Sequence, residues 1–205
     1  MTPAAARPVP VYFVNVSANR DSAADRKQFD LRPSKVAATL PFCAGEWWRI
    51  GQGHDDPTGS HNGTVTFSWD IGRINGDTPG ATIIAAAPGA PVLCEDQQAD
   101  DGSNAISVYH AVEEPAVYMH LKKGSVRENF PGLNANPDTL PVAQQPTFAA
   151  RDVLTNVGDP ADMGPHLHFA ISTQKGDTFA GAWVGQPVGL SDYFQSRTMV
   201  RLGRS

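Results

Sequence analysis

The clearest alternation of apolar and polar positions lies at 164–172, where the sequence reads Gly-Pro-His-Leu-His-Phe-Ala-Ile-Ser. Residues two apart in a strand project from the same face, so a strand beginning near His166 presents His166 and His168 side by side. Leu167 and Phe169 then point to the other face, into the core. Two imidazoles on one face are either half-buried histidines that are hydrogen-bonded to neighbours or part of a metal site. The metal site requires further ligands from the rest of the chain.

The same alternation predicts several more short strands, bounded by Gly- and Pro-rich turns. They fall at 9–17, 40–50, 64–71, 81–87, 91–95, 104–111 and 116–121. The last two form a predicted hairpin, with Glu113, Glu114 and Pro115 in its turn. A short helix is predicted at 21–29, the segments 179–188 and 188–194 close the domain, and the tail 195–205 has no assignment.

This pattern predicts a mainly β fold with one principal domain at 40–205. Residues 1–39 are predicted to be an N-terminal extension that packs on this core. The stretch 125–147 is rich in Asn, Pro and Gln and has little periodicity. It is predicted to be one long loop, and loops of that length are usually functional or disordered.

The composition argues against a nucleic-acid-binding or membrane protein. Only 18% of the 205 residues are charged, the net charge is −5, and Gly (19) and Pro (17) are plentiful. Lys and Arg do not cluster, which argues against binding to nucleic acid or an anionic membrane. No apolar run approaches the roughly 20 residues that span a bilayer. The N-terminus lacks the apolar region of a secretory signal, so the protein is either cytosolic or a mature form with an added Met.

Cys43 and Cys94 are the two cysteines, and no Cys-x-x-Cys spacing is present. They form one disulfide in an oxidising compartment, or they are two unrelated buried thiols. The disulfide is the favoured expectation.

Three residues would make a zinc site with an open position. Zinc binds His nitrogen and carboxylate oxygen in a tetrahedron, and a catalytic site leaves the fourth position for water. His61, Asp70 and His168 would supply two imidazoles and a carboxylate, while His120 and His166 would remain for proton transfer. Each has a plainer interpretation: a solvated loop histidine at 61, a turn-capping aspartate at 70, and a hydrogen-bonded strand-end histidine at 120.

The residues in this order resemble the lysostaphin/LytM-type zinc endopeptidases, which cut peptide bridges of bacterial peptidoglycan. The similar segments are Gly-Pro-His-Leu-His-Phe at 164–169, Ser-His at 60–61, Ser-Trp-Asp-Ile at 68–71, the strand and Gly turn at 81–90, and Tyr-Met-His-Leu at 118–121. The resemblance covers about residues 40–172. Gly-x-His-x-His alone is a weak signal, whereas five residues in the family's order are a strong one.

The resemblance implies zinc ligands His61, Asp70 and His168, and catalytic histidines His120 and His166. It implies an antiparallel β-sheet core of the duplicated hybrid motif type, with the metal groove between loops. It also implies action on peptidoglycan peptides. A monomer outside the cytoplasm, periplasmic or secreted, is the accompanying expectation. Eight residues separate His61 from Asp70, whereas three separate the corresponding residues in most of the family. The staphylolysin-like branch of the family also has a longer gap. Asp55 and Asp56 are therefore rival ligands.

Two other functions compete with the endopeptidase. A non-catalytic member would use bound zinc to stabilise a cell-wall-binding or partner-binding domain, and such members typically lose a catalytic histidine. A cupin-like metal β-barrel is the third interpretation, and the order of the motifs argues against it. His54 and His110 match no catalytic position and are interpreted as structural.

Overall fold

The computed structural model of the chain describes residues 11–15, 38–53, 61, 68–111, 114–133, 144, 146–171 and 198–202. Within these ranges the strands are β1 (Val11–Asn15), β2 (Trp47–Gln52), β3 (Trp69–Arg73), β4 (Thr82–Ile84), β5 (Ala90–Glu95), β6 (Ala105–Ala111), β7 (Glu114–Met119), β8 (Val153–Asn156), β9 (Leu167–Ile171) and β10 (Thr198–Leu202). A 3₁₀ turn covers Asp101–Ser103 and a short helix, α1, covers Ser125–Asn129.

Eight of these strands form one antiparallel sheet in the order β1-β10-β2-β3-β9-β7-β6-β5. Strands β4 and β8 form a second, two-stranded sheet. The mainly β, antiparallel fold expected from the sequence is therefore confirmed. Within the described residues, no helix has the length and apolar character needed to cross a membrane.

Alternation along the central strands separates the core from the opposite face. Trp48 and Ile50 of β2 are fully buried, whereas their neighbours Trp47 and Arg49 are exposed. Leu167 and Phe169 of β9 are also buried, as predicted. These side chains join one hydrophobic cluster with Phe42, Trp69, Ile71, Ile83, Ile106, Tyr118, Leu121 and Leu154.

The structure corrects the predicted hairpin turn. Glu114 and Pro115 belong to β7, where they pair with Ala111 and Tyr109 of β6. The pairing register shifts between Tyr109 and Ala111. Proline lacks a backbone N–H and is tolerated in strands at such irregularities, so Pro115 can belong to the strand.

Three further differences concern the ends of the predicted elements. Strand β3 begins at Trp69, so Asp70 lies near its start and not at its end. The tail contributes β10, which pairs with both β1 and β2. Residues 125–129 of the predicted long loop form α1. The helix predicted at 21–29 and the segments at 179–194 lie outside the described residues, and the division at residue 39 stays a prediction.

Both cysteines are free thiols, so the expected disulfide is not present. Cys94 is fully buried in β5, and this burial raises the pKa of its thiol to about 12. A thiol with so high a pKa is a poor nucleophile, and Cys94 therefore acts as a small core residue.

Candidate metal centre

Asp70 lies at the centre of the candidate site, where β3 meets β9. The backbone pairing sets Asp70 directly opposite His168, so their side chains share one face of the sheet. The Nδ1 atom of His168 lies 3.0 Å from Oδ1 of Asp70. The Nε2 atom of His166 lies 3.3 Å from the same oxygen. The predicted shared face of His166 and His168 is thus observed, although β9 itself begins one residue later, at Leu167.

His61 joins this group from outside the sheet. Its side chain is almost fully buried, and its Nε2 atom lies 3.1 Å from Oδ1 of Asp70. Its other ring nitrogen, Nδ1, lies 3.0 Å from the carbonyl oxygen of Gly53, just after β2. The end of β2 therefore fixes the orientation of the His61 ring toward Asp70.

The hydrogen bonds to backbone carbonyls determine which ring nitrogens carry protons. A carbonyl oxygen only accepts, so Nδ1 of His61 must donate to Gly53. Nδ1 of His166 must likewise donate to the carbonyl oxygen of Gly164, at 2.6 Å. In the neutral rings Nε2 is then an acceptor, and both Nε2 atoms face a carboxylate oxygen that also accepts. Acceptors that face one another in this way require a proton or a metal cation between them.

The donor set fits a metal ion. His61, Asp70 and His168 each offer one ligand atom, and these atoms all lie within 4.8 Å of one another. Two imidazoles and one carboxylate are a ligand set that catalytic zinc uses, with a further position left for water or substrate. A metal-binding histidine usually donates a hydrogen bond from its other ring nitrogen, which fixes its tautomer, and the carbonyl of Gly53 accepts such a bond from His61.

His120 completes the group from the end of β7. Its ring lies 4.6 Å from the ring of His166 and 5.7 Å from the ring of His168, measured between centroids. Its Nδ1 atom lies 2.7 Å from the carbonyl oxygen of Gly102 and must donate to it. The nitrogen left to exchange a proton with a substrate is therefore Nε2.

Burial and mutual contacts shift the pKa values of these groups. Burial, aided by the nearby His166, lowers the pKa of His120 to about 4, so this ring is neutral at neutral pH. Burial alone would raise the pKa of Asp70, but the contacts with His166, His168 and His61 outweigh it and hold that pKa well below its usual range. Burial lowers the pKa of His168. Burial acts in the same direction at His166, but the hydrogen bond and the charge of Asp70, together with the hydrogen bond to Gly164, outweigh it and raise the pKa of His166. Neutral imidazole and ionised carboxylate are the forms that bind metal.

The remaining sequence candidates lie elsewhere. His110 donates from Nδ1 to the carbonyl of Pro88 and accepts at Nε2 from the hydroxyl of Tyr118, 2.9 Å away. These contacts belong to the core beside β7 and agree with a structural role. His54, Asp55 and Asp56 lie outside the described residues.

Sequence reasoning missed the backbone carbonyl groups that orient the imidazoles, among them those of Gly53 at His61 and Gly102 at His120. Gly53 and Gly102 act through backbone oxygen, which has no side-chain signature in a sequence. The only available signal was turn chemistry, in Gly-Gln-Gly at 51–53 and in Asp-Asp-Gly-Ser at 100–103.

No protein-family model matches the sequence, and no curated protein matches it. Among solved structures, the chain is similar to SpoIIQ from the SpoIIIAH–SpoIIQ complex, with a TM-score of 0.50, 16% identity, and coverage of 77% of this chain and 99% of that one. It is also similar to the deep-sea M23 metalloprotease pseudoalterin, with a TM-score of 0.46, 18% identity and 80% coverage of each chain. A third is the antimicrobial peptidase lysostaphin from Staphylococcus simulans, with a TM-score of 0.45, 16% identity, and coverage of 74% of this chain and 53% of that one. At these identities the similarity concerns the mainly β fold alone.

Proposed function

We propose that the protein is a zinc-dependent endopeptidase that hydrolyses peptide cross-links of bacterial peptidoglycan outside the cytoplasm. The observation that carries the proposal is the convergence of four histidines around Asp70. Asp70 lies in β3 and His168 in β9, His120 directly follows β7, His166 directly precedes β9, and His61 lies outside the strands. Along the chain they stand in the order that the endopeptidase resemblance implies. A metal cation would satisfy at once the carboxylate oxygen and the acceptor nitrogens directed at it, which supports the proposal.

In this proposal His61, Asp70 and His168 hold the zinc ion. Zinc supplies Lewis acidity, which polarises a peptide carbonyl and makes water a nucleophile near neutral pH. The negative charge of Asp70 partly offsets the charge of the metal. Gly53 orients His61 through its carbonyl, and the pairing of β3 with β9 fixes the distance between Asp70 and His168.

His120 and His166 are proposed as the acid–base pair. Their rings are adjacent, and each holds its Nδ1 proton on a backbone carbonyl, which directs Nε2 toward the site. One Nε2 accepts a proton from the attacking water, and the protonated imidazole then stabilises the negative oxygen that forms on the substrate carbonyl. The same pair returns a proton to the leaving amine. The low pKa of His120 keeps it in the basic form before substrate arrives.

A partner-binding function is the second candidate. SpoIIQ, which shares the fold, was solved in complex with SpoIIIAH, so the fold accommodates association with another protein. In that function bound zinc would stabilise the domain, and neither His120 nor His166 would be needed. Their tight placement beside the candidate metal site favours the enzyme.

Incubation of the purified, zinc-loaded protein with purified peptidoglycan distinguishes the two functions. The endopeptidase releases soluble fragments, and each cut exposes one new amino group. Mass spectrometry of the fragments tells whether a glycine bridge or a cross-link containing a D-amino acid was cut. Binding to the insoluble wall without any new amino group would support the non-catalytic function and reject the enzyme.

The choice of carboxylate ligand gives a separate prediction. Asp70→Asn keeps the side-chain shape but removes the negative charge, so zinc affinity should fall. The fall should exceed the roughly 10–100-fold loss typical of residues that only support a ligand. Asp55→Asn and Asp56→Asn are the matched controls, with the same change of charge, and should bind zinc as the wild type does. Zinc titrations of all three variants decide the assignment, and a loss restricted to Asp55→Asn or Asp56→Asn would reject Asp70.

A further inference from the structure

The backbone of His120 has an unusual conformation that brings its ring into the site. Met119 of β7 pairs with His168, so strict alternation along the strand would direct the next side chain to the face occupied by Tyr118. His120 has a φ angle of 64°, in the left-handed region that residues other than glycine rarely adopt. This turn of the backbone reverses the alternation and brings the ring beside His166 and His168.

A left-handed residue other than glycine persists only where its surroundings determine it. Three hydrogen bonds do so here. The ring of His120 donates to the carbonyl of Gly102 at 2.7 Å, and its own carbonyl accepts from the N–H of Gly158 at 2.8 Å. The next residue, Leu121, donates its N–H to the carbonyl of Asn104 at 3.1 Å. The position of His120 thus depends on the segments around Gly102 and Gly158.

The carboxylate of Asp101 joins these segments to one another. Its Oδ1 atom accepts from the N–H of Lys123, three residues after His120, at 2.9 Å. Its Oδ2 atom accepts from the N–H of Asp159, the neighbour of Gly158, at 2.9 Å. Asp101 itself precedes Gly102, whose carbonyl holds the His120 ring.

The approach of the Asp101 side chain requires a glycine on the facing segment. A Cβ atom added to Gly158 would lie 2.5 Å from Cβ of Asp101 and 2.9 Å from Oδ2. The carboxylate is therefore packed directly against the backbone that donates to the His120 carbonyl.

We propose that Asp101 is a positioning residue for His120: its two carboxylate oxygens hold the chain that follows His120 and the chain that follows Gly158 against the Gly102 segment, and thereby maintain the histidine's left-handed conformation and ring orientation. The consequence for turnover rests on the proposed function, in which His120 transfers a proton. The consequence for the ring itself does not depend on that function.

Asp101→Asn provides the test, because asparagine has the same shape but only one accepting oxygen. The NH₂ group of asparagine is a donor and cannot accept from a backbone N–H. The backbone N–H of either Lys123 or Asp159 therefore loses its acceptor. Asp159→Asn is the matched control. It makes the same change of charge one residue from Gly158 and leaves the backbone N–H of residue 159 and its acceptor in place.

Two readouts are needed on zinc-loaded protein. The first is the ¹⁵N chemical shifts of the His120 ring at neutral pH, which report the tautomer directly. Wild type and Asp159→Asn should show a proton on Nδ1, and Asp101→Asn should show a mixed or altered tautomer. The second is steady-state cleavage, in which kcat should fall about 10–100-fold in Asp101→Asn with KM changed by less than about twofold, as expected for a misplaced catalytic group.

Wild-type ring shifts together with wild-type kcat in Asp101→Asn would overturn the proposal. Loss of zinc or of folded protein in this variant and also in Asp101→Glu would overturn it too, since the residue would then support the whole domain and not His120. If the wild type cleaves nothing but the ring shifts still change in Asp101→Asn, the proposed function fails and the positioning role stands.

Discussion

His120→Ala and His166→Ala should each keep stoichiometric zinc and a folded domain but lose most turnover. A positioned acid–base group typically contributes 10²–10⁴-fold to rate, so the cleavage rate should fall by about that factor in each variant. The two rings lie 4.6 Å apart and are expected to act as one unit. The double variant should therefore be little slower than the slower single variant.

Zinc content measured beside the cleavage rate in all three proteins checks this expectation. Full zinc with a wild-type rate in His166→Ala would remove His166 from the mechanism. Loss of zinc in that variant would mean that His166, and not His168, binds the metal. The Nε2 atom of His166 lies close enough to Asp70 to bind the same metal ion, so this experiment distinguishes His166 from His168 as the ligand.

His61→Ala and His168→Ala should lose zinc and activity together. Each change removes one of three protein ligands, and the remaining imidazole and carboxylate are too few for a stable zinc site. Cleavage should fall at least as far as it does in the acid–base variants. Elemental analysis of dialysed protein, carried out with the activity assay, measures both effects.

His110→Ala is the matched control for removal of a histidine. His110 is bonded to Tyr118 and to the carbonyl of Pro88, away from Asp70. This variant should keep its zinc even if the loss of the Tyr118 contact lowers its stability. Stoichiometric zinc in both His61→Ala and His168→Ala would show that the metal, if bound, lies elsewhere.

The sequence allowed prediction of those parts of the site that depend on local periodicity. His166 and His168 share a face because side chains in a strand repeat every two residues, and this holds whatever the strand pairs with. Leu167 and Phe169 are buried for the same reason. The grouping with Asp70, 98 residues before His168, depends on which strands pair and is not a local property. The resemblance to a family indicates this grouping, whereas periodicity does not.

The parts that were not predicted depend on tertiary contacts. His120 adopts a left-handed conformation that residues other than glycine rarely adopt, and it does so because Gly102, Asn104 and Gly158 hold it there. The early start of β7 depends on a register shift in the pairing with β6, which composition does not indicate. The polar tail forms β10 because β1 and β2 provide edges for it to pair with. In each case the local conformational preference is weak, and contacts with segments distant in the sequence determine the structure.

The most direct test of the zinc endopeptidase is cleavage of purified peptidoglycan before chelation, after chelation and after zinc is added back. The proposed site predicts the release of new amino groups, their loss when zinc is removed, and recovery with one equivalent of zinc per chain. His120→Ala, reconstituted in the same way, should bind that zinc and stay inactive. Cleavage that continues at the same rate without zinc, or zinc-loaded wild-type protein that releases no new amino groups, would contradict the proposal.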